Sequence, residues 1–388
     1  MRLTKIALPA FLGLPLISAK PLAARSDDEA LRDLNDQALS ALQSQYDNTT
    51  VEARIISKCN IFNARVRRDW NSFRPTQKKE YIAAVRCMQT KPSIADPTFA
   101  PGSRSRYDDF VAVHINQTLS IHGTGNFLIW HRYFVKAYET ALRTECGYTG
   151  YQPYWNWLDH TEDPSKSSLF DGSDTSFSGD GAFLAHNGSV NGAGNVYIPS
   201  GKGGGCVTSG PFVDYVVNLG PVSPIQDGME PSPVFLGYNP HCLSRDLSAF
   251  TAVNWLTLEN ILNVTVGAAS RSVLLFQNEL QGRFGDGFLG LHTAGHGVMG
   301  GVAGDIYASP VDPVFFLHHA MVDRVYWLWQ ALHPSLAKTV AGTLTLFNNP
   351  PSRNTSVNDL IDLGINAPSL EIASLLDTLG TDLCYIYV

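Results

Sequence analysis

Seven histidines stand in two short stretches of the chain. His114, His122 and His131 lie eight and nine residues apart in HINQTLSIHGTGNFLIWHRYFVKAYE, and His292, His296, His318 and His319 follow much later. A single histidine on an apolar helix face is ordinarily a hydrogen-bonded core residue; recurrence at facing positions points instead to metal chelation. His292 and His296 form an H-x3-H pair, which on a helix sets both imidazoles on one face, one turn apart. Thr293, Ala294 and Gly295 lie between them, so the glutamate of the zinc-peptidase H-E-x-x-H motif is missing. His318 and His319 are adjacent and cannot both point into one site. Asp323 follows His319 by four residues, where a carboxylate can orient a ligand imidazole through its second N–H. His319 is therefore the third ligand of this group, Asp323 its orienting partner, and His318 a neighbour. Two sets of three imidazoles without a carboxylate suit copper or zinc, whereas paired iron or manganese sites recruit carboxylates. Ligand type alone leaves copper and zinc open.

The motifs around the two groups narrow the choice. HGTGNFLIWHRYFVKAYE, read as H-x4-F-L-x-W-H-R-x2-V-x3-E, resembles the copper-A signature of tyrosinases and catechol oxidases, the polyphenol oxidase family. DPVFFLHHAMVD, read as D-P-x-F-F-x2-H-x3-D, resembles their copper-B signature, with its histidine at His319, and HTAGH resembles the first two copper-B ligands. PYWNW and the terminal Tyr385-x-Tyr387 also look like family landmarks, so the resemblance covers the chain from about residue 55 to its end. It implies a mainly α fold: a helical-bundle core around a dinuclear type-3 copper site, with long loops and a few short strands. It further implies His114, His122 and His131 on copper A, His292, His296 and His319 on copper B, and O2 as co-substrate. The implied substrates are small phenols, oxidised to o-quinones, with activity falling on acidification as the imidazoles protonate.

This chain departs from the family pattern in places. Many members link a cysteine two residues before the second copper-A histidine to that histidine; here the position is Ser120, which leaves the His122 ring less constrained. Efficient monophenol hydroxylases often carry Asn after the first copper-B histidine, paired with a Glu that together hold a phenol-deprotonating water. Here the residue is Thr293, and Glu279 is the candidate carboxylate. Gly297, after His296, leaves room at the entrance. These features favour oxidation of o-diphenols, or of a close substrate such as an o-aminophenol, with weak monophenol hydroxylation. The alternatives are a tyrosinase with substantial monophenolase activity and a hemocyanin-like oxygen-binding protein. Only 58 residues follow Gln330. That suggests a short, fungal-type form without a C-terminal shielding domain.

The elements that must position these residues are mostly helices. Apolar spacing predicts helices over 27–46, 78–89, 107–115, 127–144 and 314–333, the third capped by Asp108 or Asp109 and ending at His114. Residues 253–282 also have helical spacing. Between 161 and 251, Gly, Ser, Pro, Asp and Asn dominate, so a loop-rich excursion with short strands is expected, stapled by Cys206 and Cys242. LCYIYV reads as a closing strand. No linker separates the two histidine groups, so one shared core must bring them together.

Composition fits that picture. Hydrophobic residues make up 44% and charged residues 16%, as in a well-packed globular protein. A net charge of −7 disfavours nucleic acid or an anionic membrane as partner. MRLTKIALPAFLGLPLISA reads as a secretory signal, cut near Ala19: Arg2 and Lys5 precede an apolar run broken by Pro9 and Pro15. Six cysteines then fit three disulfides of an oxidising compartment, and sequons at Asn48, Asn116, Asn187, Asn263 and Asn354 fit glycosylation. The expected organisation is a signal at 1–19, an N-terminal arm or propeptide at 20–45, and a dicopper catalytic domain at 46–388, secreted from the cell.

Overall fold

The computed structural model describes residues 26–50, 59–192, 194–380 and 382–388, so the expected signal at 1–19 lies outside the described residues. The fold is mainly helical, and its centre is the pair α4 (Phe127–Glu145) and α9 (Phe315–Leu332). Every residue of α9 from Phe315 to Ala331 is buried: apolar side chains dominate its surface, and Asp323, Arg324 and Gln330 are hydrogen-bonded inside the bundle. Around the pair stand α1 (Asp27–Asp47), α2 (Pro75–Thr90), α3 (Arg106–Ile121), α7 (Val273–Gln281) and α8 (Gly290–Met299).

The helix boundaries follow from caps. α3 starts earlier than expected: the Ser105 hydroxyl accepts the Asp108 N–H while the Asp108 carboxylate accepts the Ser105 N–H, a capping box. It also continues beyond His114 to Ile121, because Asn116, Leu119 and Ser120 form its solvent face rather than its end. The helical stretch expected over 253–282 is three helices, α5 (Ala249–Trp255), α6 (Leu258–Thr265) and α7. Ser248, Thr257 and Ser272 each accept an N–H of the first turn and restart the helix. α1 lies against α9 with Leu31, Leu34 and Ala38 in the core. This part of the expected arm is thus packed into the domain.

The excursion holds short antiparallel pairs: Gly181–Phe183 with Gly204–Val207, Ser189–Asn191 with Val196–Ile198, and Val216–Val217 with His241–Cys242. Disulfides join Cys206 to Cys242, Cys87 to Cys146, and Cys59 to Cys384. Beside the last, the closing strand Tyr385–Tyr387 pairs in parallel with Arg65–Arg67.

That strand pair feeds a buried charge cluster behind the histidines. Arg67 reaches Glu139 of α4 at 2.6 Å, and Arg132 of α4 reaches Asp323 of α9 at 2.6 Å. The Tyr385 and Tyr387 hydroxyls both donate to Asp323. All four charged side chains are buried, and two cations balance two anions. Burial alone would raise the Asp323 carboxyl, but Arg132 and Arg67 hold it below the carboxylate range.

Candidate metal centre

Four segments deliver the histidines. His114 projects from α3. His122 is the first residue past its end, extended at φ −118° and ψ 143°, and the chain then turns through Gly123 at φ +56° into α4, which carries His131. His292 and His296 sit one turn apart on α8, and His319 on α9. The rings of His114, His122 and His131 have centroids 5.0–5.7 Å apart; those of His292, His296 and His319 are 4.9–5.4 Å apart. His131 stacks on His319 at 4.4 Å and 14°, so the two triplets meet. Phe315 packs on His319 at 4.1 Å, Phe127 on His292 at 4.7 Å and Trp130 on His131 at 4.9 Å, walling the rings with aromatic surface.

Hydrogen bonding fixes which nitrogen of the first triplet is free. Nδ1 of His114, His122 and His131 faces the carbonyls of Tyr307, Thr118 and Phe127 at 2.7, 3.0 and 2.8 Å. A carbonyl can only accept, so each Nδ1 carries the proton and each Nε2 keeps its lone pair. In the second triplet Nε2 of His296 lies 3.3 Å from Nε2 of both His292 and His319, three nitrogens aimed at one point. Burial first, and then the neighbouring imidazoles, depress five of the six far below the ordinary 6.5. Burial lowers His122 to about 4. All six are therefore neutral ligands at physiological pH.

His318 lies in the same cluster, yet both its nitrogens are engaged. Trp157 Nε1–H donates to its Nδ1 at 3.0 Å, so Nε2 carries the proton and donates to the His292 carbonyl at 2.9 Å. No lone pair is left for a metal. Trp157 closes the PYWNW motif, but an indole N–H has no spacing signature, so its bond to His318 comes only with the fold.

Three expected roles are corrected. Asp323 does not orient His319: its oxygens take Arg132, Tyr385, Tyr387 and, at 3.4 Å, Arg67, while His319 Nδ1 is buried without a hydrogen-bond partner. Those donors fill the roughly four lone-pair sites of a carboxylate. Glu279 does not line the cavity with Thr293; it pairs with Arg283 and accepts from Asn263 at 3.0 Å. Gly297 does not widen the entrance. A Cβ there would stand 3.1 Å from Thr251 and 3.2 Å from Ile198, so the glycine lets α8 pack closely on its neighbours. Thr293 does line the cavity, with its hydroxyl donating to the Gln281 carbonyl at 2.7 Å. Ser120 is exposed and donates to the Gln117 carbonyl, and the His122 ring is held without a covalent link, by burial and by the Thr118 carbonyl.

A cavity of 640 Å³ opens onto His122, His292 and His296. Among the described residues, no Asp or Glu lines it. The donor set suits copper: all-imidazole triplets, neutral, with lone pairs converging in pairs of sites beside a substrate-sized space.

Known proteins share this arrangement. Residues 104–332 match the common central domain of tyrosinase. The tyrosinase-like protein orsC of Emericella nidulans is 42% identical over 322 residues, covering 78% of this chain and 84% of that protein. N-acetyl-6-hydroxytryptophan oxidase ivoB of the same organism is 35% identical over 372 residues, covering 90% and 99%. A variant of a polyphenol oxidase from Thermothelomyces thermophila superposes with a TM-score of 0.87 at 38% identity, covering 93% of this chain and 98% of that one.

Proposed function

Because this chain belongs to the tyrosinase family and is a copper oxidoreductase with a type-3 site, we propose that it oxidises o-diphenols to o-quinones outside the cell. Two diphenols each give up two electrons and two protons, and one O2 takes up all four of each to form two waters. The copper pair, when bound, supplies the redox chemistry and the O2 site. His114, His122 and His131 would hold copper A, and His292, His296 and His319 copper B. The observation that carries this assignment is the convergence of neutral imidazoles whose only other free nitrogens are bonded or buried.

The rest of the chain prepares the ligands. Backbone carbonyls fix the copper-A tautomers, and His318, oriented by Trp157, ties α9 to α8 by donating to the His292 carbonyl. Phe127, Trp130 and Phe315 keep water from the rings. The preference for o-diphenols, or an o-aminophenol, over monophenols is supported by a cavity lining in which, among the described residues, no carboxylate stands to take up the proton of a monophenol. An o-diphenol is the easier substrate for such a site because it needs no hydroxylation. Secretion is supported by three disulfides and by exposed sequon asparagines at 48, 116, 187 and 354.

Copper analysis with O2 uptake on catechol, 2-aminophenol and tyrosine tests the proposal. The expected result is two coppers per chain, rapid oxidation of the first two compounds and slow turnover of tyrosine. Tyrosine oxidised as fast as catechol would overturn the substrate assignment, and reversible O2 binding without quinone would overturn the oxidation itself.

A further inference from the structure

Two phenylalanines line the cavity, and one of them, Phe347, is held in place by unusual backbone. Phe347 is 62% exposed, with φ 50° and ψ 29°, and Asn348 follows at φ 57°. Left-handed conformations at consecutive non-glycine residues are unfavourable and persist where surrounding structure holds them. Here the Phe347 N–H donates to the Gly123 carbonyl at 3.2 Å, and the Ser352 N–H to the Asn348 side chain at 2.8 Å. The turn sits directly on the residue after His122: a Cβ on Gly123 would come within 2.9 Å of Leu346 and 3.0 Å of Phe347. On the opposite wall, Phe284 is seated between two glycines. A Cβ on Gly192 would lie 3.0 Å from its ring, and one on Gly282 only 2.6 Å. The two phenyl rings are 6.4 Å apart and nearly perpendicular, at 86°.

An exposed apolar ring needs no explanation when it stands alone. These two line the cavity that reaches His122, His292 and His296, together with Ile306, which is 41% exposed. The volume of 640 Å³ falls within the range of about 300–1,000 Å³ that accommodates drug-sized ligands, far more than one catechol ring fills.

We propose that Phe284 and Phe347 form an aromatic platform that selects phenols bearing a second ring. The phenolic edge reaches the imidazoles while the distal ring lies against the two phenyls. This rests on the phenol-oxidising reading of the same cavity, and the test separates the two.

The copper-loaded protein is compared on 4-methylcatechol and 4-phenylcatechol, which share the reacting ring and differ in the distal group. Turnover is measured in air and binding by calorimetry without O2, for wild type, Phe284→Ala, Phe347→Ala, the double variant and Phe347→Tyr. Copper content verifies that each variant retains its centre. The double variant is expected to lower the ratio of kcat/KM for 4-phenylcatechol over 4-methylcatechol roughly tenfold, as expected for lost aromatic pairing. The loss should appear in KM and in anaerobic affinity, and Phe347→Tyr, which keeps the ring, should preserve the ratio. Equal losses on both substrates, or an unchanged ratio, would overturn the platform. Ring-dependent binding of 4-phenylcatechol without oxidation of either catechol would support the platform and overturn the oxidase reading.

Discussion

Replacing Asp323 by Asn separates two roles that this residue could play. The carboxylate lies four residues after His319 but spends its oxygens on Arg132, Tyr385, Tyr387 and Arg67. The substitution keeps the shape and removes one of the two anions that balance two buried arginines. Glu139 remains 2.6 Å from Arg67, so Arg132 is the cation left without its partner. Breaking a buried pair in this way costs about 3–5 kcal/mol. The amide oxygen can still accept one N–H, which places the expected loss near the lower end. Denaturation curves read by tryptophan fluorescence give the free energy, and metal analysis on the same preparations gives copper per chain. The structure predicts a loss of roughly 3 kcal/mol with two coppers retained under native conditions. Copper loss at unchanged stability would refute the reasoning and return Asp323 to a role on His319.

Other perturbations probe the same framework. Gly295→Ala should destabilise by about 1–3 kcal/mol by overpacking, although Gly to Ala inside a helix ordinarily stabilises by about 1 kcal/mol. The added methyl would sit 2.1 Å from the His318 ring, and thermal melts check the sign. The copper-free protein should lose stability as pH falls below 6.5, because the buried imidazoles refuse the proton that the unfolded chain accepts there. Each histidine contributes up to about 1.4 kcal/mol per pH unit until its folded value is passed, about 4 for His122 and about 3 for His318. Urea titrations from pH 7 to pH 5 measure the slope, and a flat profile would contradict the burial of neutral rings. For Asp323 the sign is the reverse of a raised carboxyl: its stabilisation is full above the ordinary 3.8 and disappears only as pH falls through its lower folded value. Asp323→Asn should therefore flatten the acid limb of the wild-type stability curve below pH 4.

The histidine spacing and the apolar periods made the two long helices and both ligand groups legible in the sequence. α4 begins and ends within a residue of the spacing-based range 127–144, and α9 within a residue of 314–333. What escaped depended on contacts remote in sequence. The His319–Asp323 interval was correct for a helix face, but Arg132 lies on another helix and Tyr385 on a strand near the chain's end, and they outcompete the imidazole. The position of Glu279 relative to His292 is not fixed by sequence, and Arg283, one turn later on the same side, claims its carboxylate. Phe347 has no motif at all; its place over Gly123 comes from a left-handed turn that sequence patterning does not encode. Ser105 was legible in principle, since a serine three residues before an aspartate is a capping box, yet the nearer acidic pair drew the cap inward.

The assignment of the metal centre is tested most directly by copper stoichiometry and catechol oxidation in three single variants. His131→Ala and His319→Ala each remove a lone pair from one triplet, and each should hold one copper fewer than wild type and oxidise no catechol. His318→Ala removes a ring whose two nitrogens already serve Trp157 and the His292 carbonyl, and should retain two coppers per chain at reduced stability. Full copper and full activity in either of the first two, or loss of one copper in the third at native temperature, would contradict the account.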